Sequence, residues 1–162
     1  MRTAIEIRRI EPGEETLISG LVSATFQHDV APLYSREGIR EFLTYANPDA
    51  LRDRQARNHT VLVAFHNQTI VGVLELREAC HVSLLFVAVE YQRQGVGRRL
   101  VMEALQLIRS GFPEIQEVTV NSSPNAVGAY LRFGFQATGE LQVKHGIGFV
   151  PMRLPLASMH GA

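Results

Sequence analysis

Apolar residues recur along this chain with two periods, and the period changes several times. Ile5, Ile7 and Ile10 alternate as a short strand does, and Leu17, Ile18, Leu21 and Val22 then share one face of a helix opening at Pro12-Gly-Glu-Glu. Residues 27–34, with Asp29, Pro32 and Tyr34, read as a loop. Ser35-Arg-Glu-Gly caps a second helix carrying Ile39, Phe42 and Leu43. Asn47-Pro48 interrupts it, and a polar helical stretch continues towards Asn58. Thr60–His66 and Ile70–Arg77 are strand runs joined by Asn67-Gln68, the length of a hairpin turn. Cys80–Val89 is another strand, nearly all apolar from Leu84, which suits a strand covered on both faces. Val96, Leu100, Val101, Ala104, Leu105 and Ile108 return to the helical period, and Ser110-Gly-Phe-Pro113 stops it. Val118–Val120 is a strand; Ser123 as N-cap and Pro124 in the first turn open a helix that ends at Gly134. Phe135–Leu141 and Ile147–Leu154 close the chain as a strand pair.

This order predicts an α/β (α+β) fold: a mixed, mostly antiparallel central sheet of six to seven strands with helices on both faces. Residues 1–156 form one domain, and 157–162 read as a loose C-terminal tail. Lys plus Arg and Asp plus Glu number 16 each, so no net field draws nucleic acid or an acidic membrane to the chain. A single cysteine, Cys80, rules out a disulfide framework. No apolar run approaches the ~18 residues that span a bilayer, and Met1-Arg-Thr-Ala-Ile has no apolar signal core. The expectation is a cytoplasmic protein, monomeric or homodimeric, with no nucleic-acid, membrane or metal partner.

Candidate chemistry concentrates between Leu84 and Arg98. An apolar strand leads into a turn with Gly95 and Gly97, and a helix follows. Free N–H groups and the helix dipole converge there on an anionic group, and glycine lets that group come close. Arg93, Arg98 and Arg99 add a local basic patch. A Walker loop would need Gly-x4-Gly-Lys-Ser/Thr, which is missing; a dinucleotide fingerprint would need glycine at position 100, which is Leu.

The third ligand to weigh is coenzyme A. Gln92-Arg-Gln-Gly-Val-Gly97 resembles the Gln/Arg-x-x-Gly-x-Gly/Ala motif of the GNAT superfamily of acetyl-CoA-dependent N-acetyltransferases. Phe86-Val-Ala-Val-Glu-Tyr looks like the family's fourth strand. Ala126–Phe135, with Tyr130 and Gly134-Phe135, looks like its later Ala-x3-Tyr-x3-Gly-Phe helix. The element order is similar too, so the resemblance spans nearly the whole chain and implies the acyl-CoA N-acyltransferase type of fold.

The resemblance implies a set of roles. The amides of Gln92, Arg93, Gln94, Gly95, Val96, Gly97 and Arg98 would cradle the pyrophosphate, and the side chains of Arg93, Arg98 and Arg99 would add to this or reach the 3′-phosphate. Main-chain groups of Leu85, Phe86 and Val87 would pair with the pantetheine arm like an added strand. In the family the fourth strand splays from the fifth, which aims an amide at the thioester oxygen. Tyr130 matches the tyrosine that protonates the departing thiolate. Ser123 stands where many members carry Asn, and Asn125 could take over that contact to the cofactor. His81 falls where some members place a basic glutamate, with Glu75 and Glu78 as rivals. Cys80 and His81, adjacent on a strand, face opposite ways and make no nucleophile pair. The implied reaction moves acetyl from acetyl-CoA, as cosubstrate, to a primary amine of a small molecule or peptide, by direct attack in a ternary complex. The alternative is a catalytically silent CoA-binding sensor or partner module. Residues 20–58 and 135–154 would build the acceptor pocket from His28, Asp29, Tyr34, Arg36, His145 and Phe149, with no dominant charge. A strongly acidic lining of the kind polyamines need is not present.

Overall fold

The computed structural model describes residues 4–156; the expected tail, 157–162, lies outside the described residues. Strand β1 (Ile5–Arg9) leads into helices α1 (Glu15–Asp29), α2 (Arg36–Tyr45) and α3 (Pro48–Gln55). Strands β2 (His59–His66), β3 (Thr69–Arg77) and β4 (His81–Val87) run antiparallel to one another. Helix α4 (Val96–Gly111), β5 (Glu117–Ser122) and α5 (Val127–Arg132) follow, and β6 (Gln136–Ala137), β7 (Gln142–Lys144) and β8 (Ile147–Pro155) close the chain. The strands lie in the order β1-β2-β3-β4-β5-β8-β6, with β7 also on β8. Every pairing is antiparallel except β4 with β5.

The sheet therefore has eight strands where six to seven were expected. The difference lies after Gly134: the expected strand 135–141 shortens to β6, and a further strand, β7, forms beyond Gly139 and pairs with β8. Opposite the break stands Pro151, which has no N–H to give a ladder; a Cβ at Gly139 would come within 3.2 Å of its ring.

Each face of the sheet buries its own core. Val96, Leu100, Val101, Ala104, Leu105 and Ile108 of α4 are all buried, and they pack against Leu62, Ala64, Leu74 and Leu76. On the other face Ile18 and Val22 of α1 and Leu51 of α3 meet Val61, Val63, Val73 and Leu84. Each such side chain contributes about 1.5–3 kcal/mol relative to exposure. The expected loop at 27–34 is instead helical through Asp29, with a 3₁₀ turn at Ala31–Leu33. Tertiary packing explains this: Phe26 stacks on Phe42 with centroids 4.0 Å apart, Tyr34 meets it edge-on at 5.5 Å, and Val30 and Ala31 are buried beside them.

The Ser35 cap forms as the sequence suggests, and Asn47, read only as an interruption, caps α3 as well. Ser35 Oγ accepts from the Gly38 amide at 3.1 Å, and Asn47 Oδ1 accepts from the Ala50 amide at 2.8 Å. Gly38 also lies against the turn between β7 and β8. A Cβ on Gly38 would land on the Gly146 carbonyl, and one on Gly146 would sit 2.6 Å from the Gly38 nitrogen. That turn is thereby pinned to the head of α2.

Candidate active site

β4 and β5 pair only through His81–Thr119 and Val82–Val120. Beyond that point the register of β4 against β3 shifts: Leu76 faces Val82, but Glu75 faces Leu84, which leaves Ser83 as an extra residue. Such a bulge bends its strand. β5 stays on β8, so a wedge opens between β4 and β5 and forms a cleft of about 780 Å³. Leu85, Phe86 and Val87 border it from β4, and Asn121, Ser123, Asn125 and Tyr130 from the far side.

The glycine turn closes one end of this cleft. Gly95 has φ +86°, a conformation that costs glycine little, and Arg93 is also left-handed at +62°. Among the described residues, none of the amides of Arg93, Gln94, Gly95, Val96, Gly97 and Arg98 donates to a protein acceptor. Six open N–H groups at the start of a 16-residue helix make a cradle for a polyanion. Arg93 and Arg98 border the cleft as expected.

Three neighbours are committed elsewhere. Gln92 donates its amide to the Val89 carbonyl at 3.3 Å, so the open set begins at Arg93. Its side chain bridges the Val87 carbonyl at 3.0 Å and Asp29 at 2.7 Å, tying the turn to the end of α1. The Gln94 side chain donates to the Glu90 carbonyl, and Arg99 is drawn to the Ile5 carbonyl at 2.7 Å, on β1.

Tyr130 reaches the cleft from α5. Its backbone carbonyl accepts from the Phe135 amide at 3.0 Å as the chain turns through Gly134 at φ +104°, and Phe133 and Phe135 pack edge-on against its ring. The residue is 6% exposed, and its hydroxyl has no hydrogen-bond partner among the described residues. Burial raises its pKa well above the ordinary tyrosine range, so the phenol keeps its proton at any physiological pH. Ser123 does not act as the side-chain N-cap expected of it: the chain enters α5 through a 3₁₀ turn at Pro124–Ala126, held by the Ser123 carbonyl instead.

A second hollow of about 300 Å³ adjoins the first, and Phe42, Ser83 and Asn121 border both. Its remaining walls come from α2, through Glu41 and Tyr45, and from the β7–β8 hairpin, through Lys144, His145, Ile147 and Phe149.

None of the expected bases lines either hollow. Glu75 is fully buried; Arg54 grips both its oxygens, Nε at 2.9 Å and Nη2 at 3.0 Å, and His59 Nδ1 lies at 2.7 Å. The same guanidinium stacks 3.6 Å over the Tyr45 ring. Glu75 is therefore committed to a buried ion pair, away from both hollows. Glu78 is exposed on the β3–β4 turn at φ +53°. His81 bonds through Nδ1 to Thr119 Oγ1 at 2.8 Å, on the parallel seam. Burial, with the charge of Arg77, lowers its pKa to about 4. It is neutral at pH 7 and lines neither hollow, which argues against it as the titrating base.

His81→Ala is accordingly expected to leave the shape of the pH–rate profile between pH 6 and 9 unchanged, as measured by steady-state assay. Its titration acts on stability instead. The unfolded chain takes the proton first, so stability is full above about pH 6.5 and falls as pH drops towards 4.

Sequence reasoning missed Arg132, which borders the cleft one turn from Gly128, and it missed Glu41, Tyr45 and Lys144. Asn121 had a legible signal, since it follows Val118 and Val120 at the end of a strand beside the glycine helix. Among the described residues no group of three or more His, Cys, Asp or Glu is placed to hold a metal, and Cys80 is half-buried and free. No helix there is long and apolar enough to cross a membrane.

Comparison with known proteins agrees with this geometry. The solved GCN5-related N-acetyltransferase from Rhodopseudomonas palustris superposes with a TM-score of 0.81 at 19% identity, covering 96% of this chain and 98% of that one. The PaiA N-acetyltransferase from Thermoplasma acidophilum, solved in complex with coenzyme A, gives 0.75 at 22% identity, covering 94% and 99%. N-acetyltransferase family 8 member 3 of Rattus norvegicus is 42% identical over 57 residues, which are 35% of this chain and a quarter (25%) of that protein. The family model for the Acetyltransferase (GNAT) domain matches residues 30–156, the span that carries the splayed strands, the glycine turn and the Tyr130 helix. The chain belongs to the GNAT family of acetyltransferases.

Proposed function

We propose that the protein transfers acetyl from acetyl-CoA to a primary amine by direct attack in a ternary complex. The observation that carries this is the convergence on one cleft of a turn of open amides, an unpaired strand edge and a protonated phenol. The amides of residues 93–98 would hold the pyrophosphate, with Arg93 and Arg98 beside them. The edge of Leu85–Val87 would align the pantetheine arm, which carries the thioester along the wedge towards Ser83 and Asn121. There the cleft meets the smaller hollow, where the amine would wait. Glu41 is the carboxylate on that hollow's lining, and it takes the proton the ammonium must lose. The amine nitrogen bonds to the thioester carbon, the carbon–sulfur bond breaks, the Tyr130 hydroxyl gives its proton to the sulfur, and the proton shed by the new amide nitrogen passes through solvent to restore the Tyr130 phenol.

Calorimetric titration with coenzyme A is expected to show one site per chain, and an amine-library assay with acetyl-CoA is expected to release free thiol. Absence of coenzyme A binding would sink the proposal. Binding without transfer to any amine would favour the silent sensor module.

A further inference from the structure

The smaller hollow also carries information about the acceptor. We infer that the acceptor is an amino acid: a primary amine that carries a free carboxylate and an apolar side chain of about ring size. The inference rests on the transferase proposal above.

Size and lining give the apolar part. A hollow of about 300 Å³ stands at the small end of the range for small-molecule sites. Phe42, Tyr45, Ile147 and Phe149 supply three rings and a branched chain. Tyr45 is held firmly, with Arg54 stacked 3.6 Å over its ring and donating to its backbone carbonyl at 2.7 Å.

Charge gives the rest. Glu41 is the one acid on this lining, and Lys144 and His145 stand against it from the turn. Lys144 is the only lysine in the chain, whose other fifteen Lys/Arg positions are all arginine. An acceptor with several positive charges would meet Lys144 unfavourably, so the arrangement disfavours polyamines. An ammonium beside Glu41 and a carboxylate beside Lys144 satisfy both signs at once.

The separation of these groups is set by the fold. Glu41 lies one helical turn beyond Gly38, and Lys144 lies two residues before Gly146. Gly38 and Gly146 are packed backbone to backbone, and Ser35 Oγ donates to the Gly146 carbonyl at 3.4 Å. The acid and the lysine therefore flank a single fixed junction, so the hollow is preformed.

The test compares initial rates at saturating acetyl-CoA for the proteinogenic amino acids, their decarboxylated amines and spermidine. Phenylalanine is expected to exceed 2-phenylethylamine at least tenfold in kcat/KM, with spermidine lowest. Lys144→Gln is expected to raise KM for phenylalanine about fivefold more than KM for 2-phenylethylamine. Preference for 2-phenylethylamine or spermidine, or an equal shift of both KM values in Lys144→Gln, overturns the inference and leaves the transferase proposal standing. Failure of every amine, with coenzyme A still bound, overturns both.

Discussion

Tyr130→Phe is expected to lower turnover by roughly 10²–10⁴-fold, with coenzyme A affinity changed by less than about twofold. The hydroxyl has no partner among the described residues, while the ring is held by Phe133 and Phe135, so the substitution removes one oxygen and leaves the packing intact. Melting temperature should therefore hold. The burial that raises the phenol pKa also raises the proton affinity of a thiolate leaving into the same cleft, because desolvation penalises both anions. Burial thus shifts donor and acceptor in the same direction. Single-turnover rates of thiol release, set beside calorimetric affinity, decide the matter; unchanged turnover would strip Tyr130 of the acid role.

Glu75→Ala should cost about 3–5 kcal/mol of stability, because it leaves Arg54 without its carboxylate in a buried site and His59 without its partner. For a chain of this size the melting temperature should fall by roughly 6–20 °C. The double replacement Arg54→Met with Glu75→Leu should be milder than Glu75→Ala, since it removes both charges. Activity per folded molecule should survive in Glu75→Ala, with KM for the amine as the affected constant, because Arg54 also steadies Tyr45 in the wall of the smaller hollow, the proposed acceptor site. Loss of turnover at an unchanged melting temperature would return Glu75 to the role of base.

These two residues also show where the sequence is legible. Tyr130 sits in a local pattern: a capped helix, a glycine stop and a phenylalanine within ten residues. The helix α4 and its turn are equally local, since one period and two glycines define them. Glu75 offers only a carboxylate inside an apolar strand. Its partners lie 21 and 16 residues away in sequence, and nothing nearby says whether they come as ligands of a structural charge or leave it free to react. The place of His81 off the cleft lining is equally hidden, because the Ser83 bulge changes which residues of β4 face the cleft. The smaller hollow is built from α2 and the β7–β8 turn, about a hundred residues apart, and their meeting depends on two glycines that look unremarkable until they touch.

The seam between β4 and β5 has a further consequence. Two residue pairs join the halves of an eight-stranded sheet, and the rest of the β4 edge is left to face the wedge. A guest lying in that wedge, as proposed for the pantetheine arm, would stand in for an interior strand and complete the ladder. Affinity for it and resistance to unfolding are then one quantity seen from two sides, since any ligand bound only by the native chain shifts the folding equilibrium by its own saturation. The empty protein is in this sense an unfinished sheet, and opening along the seam should be its softest mode.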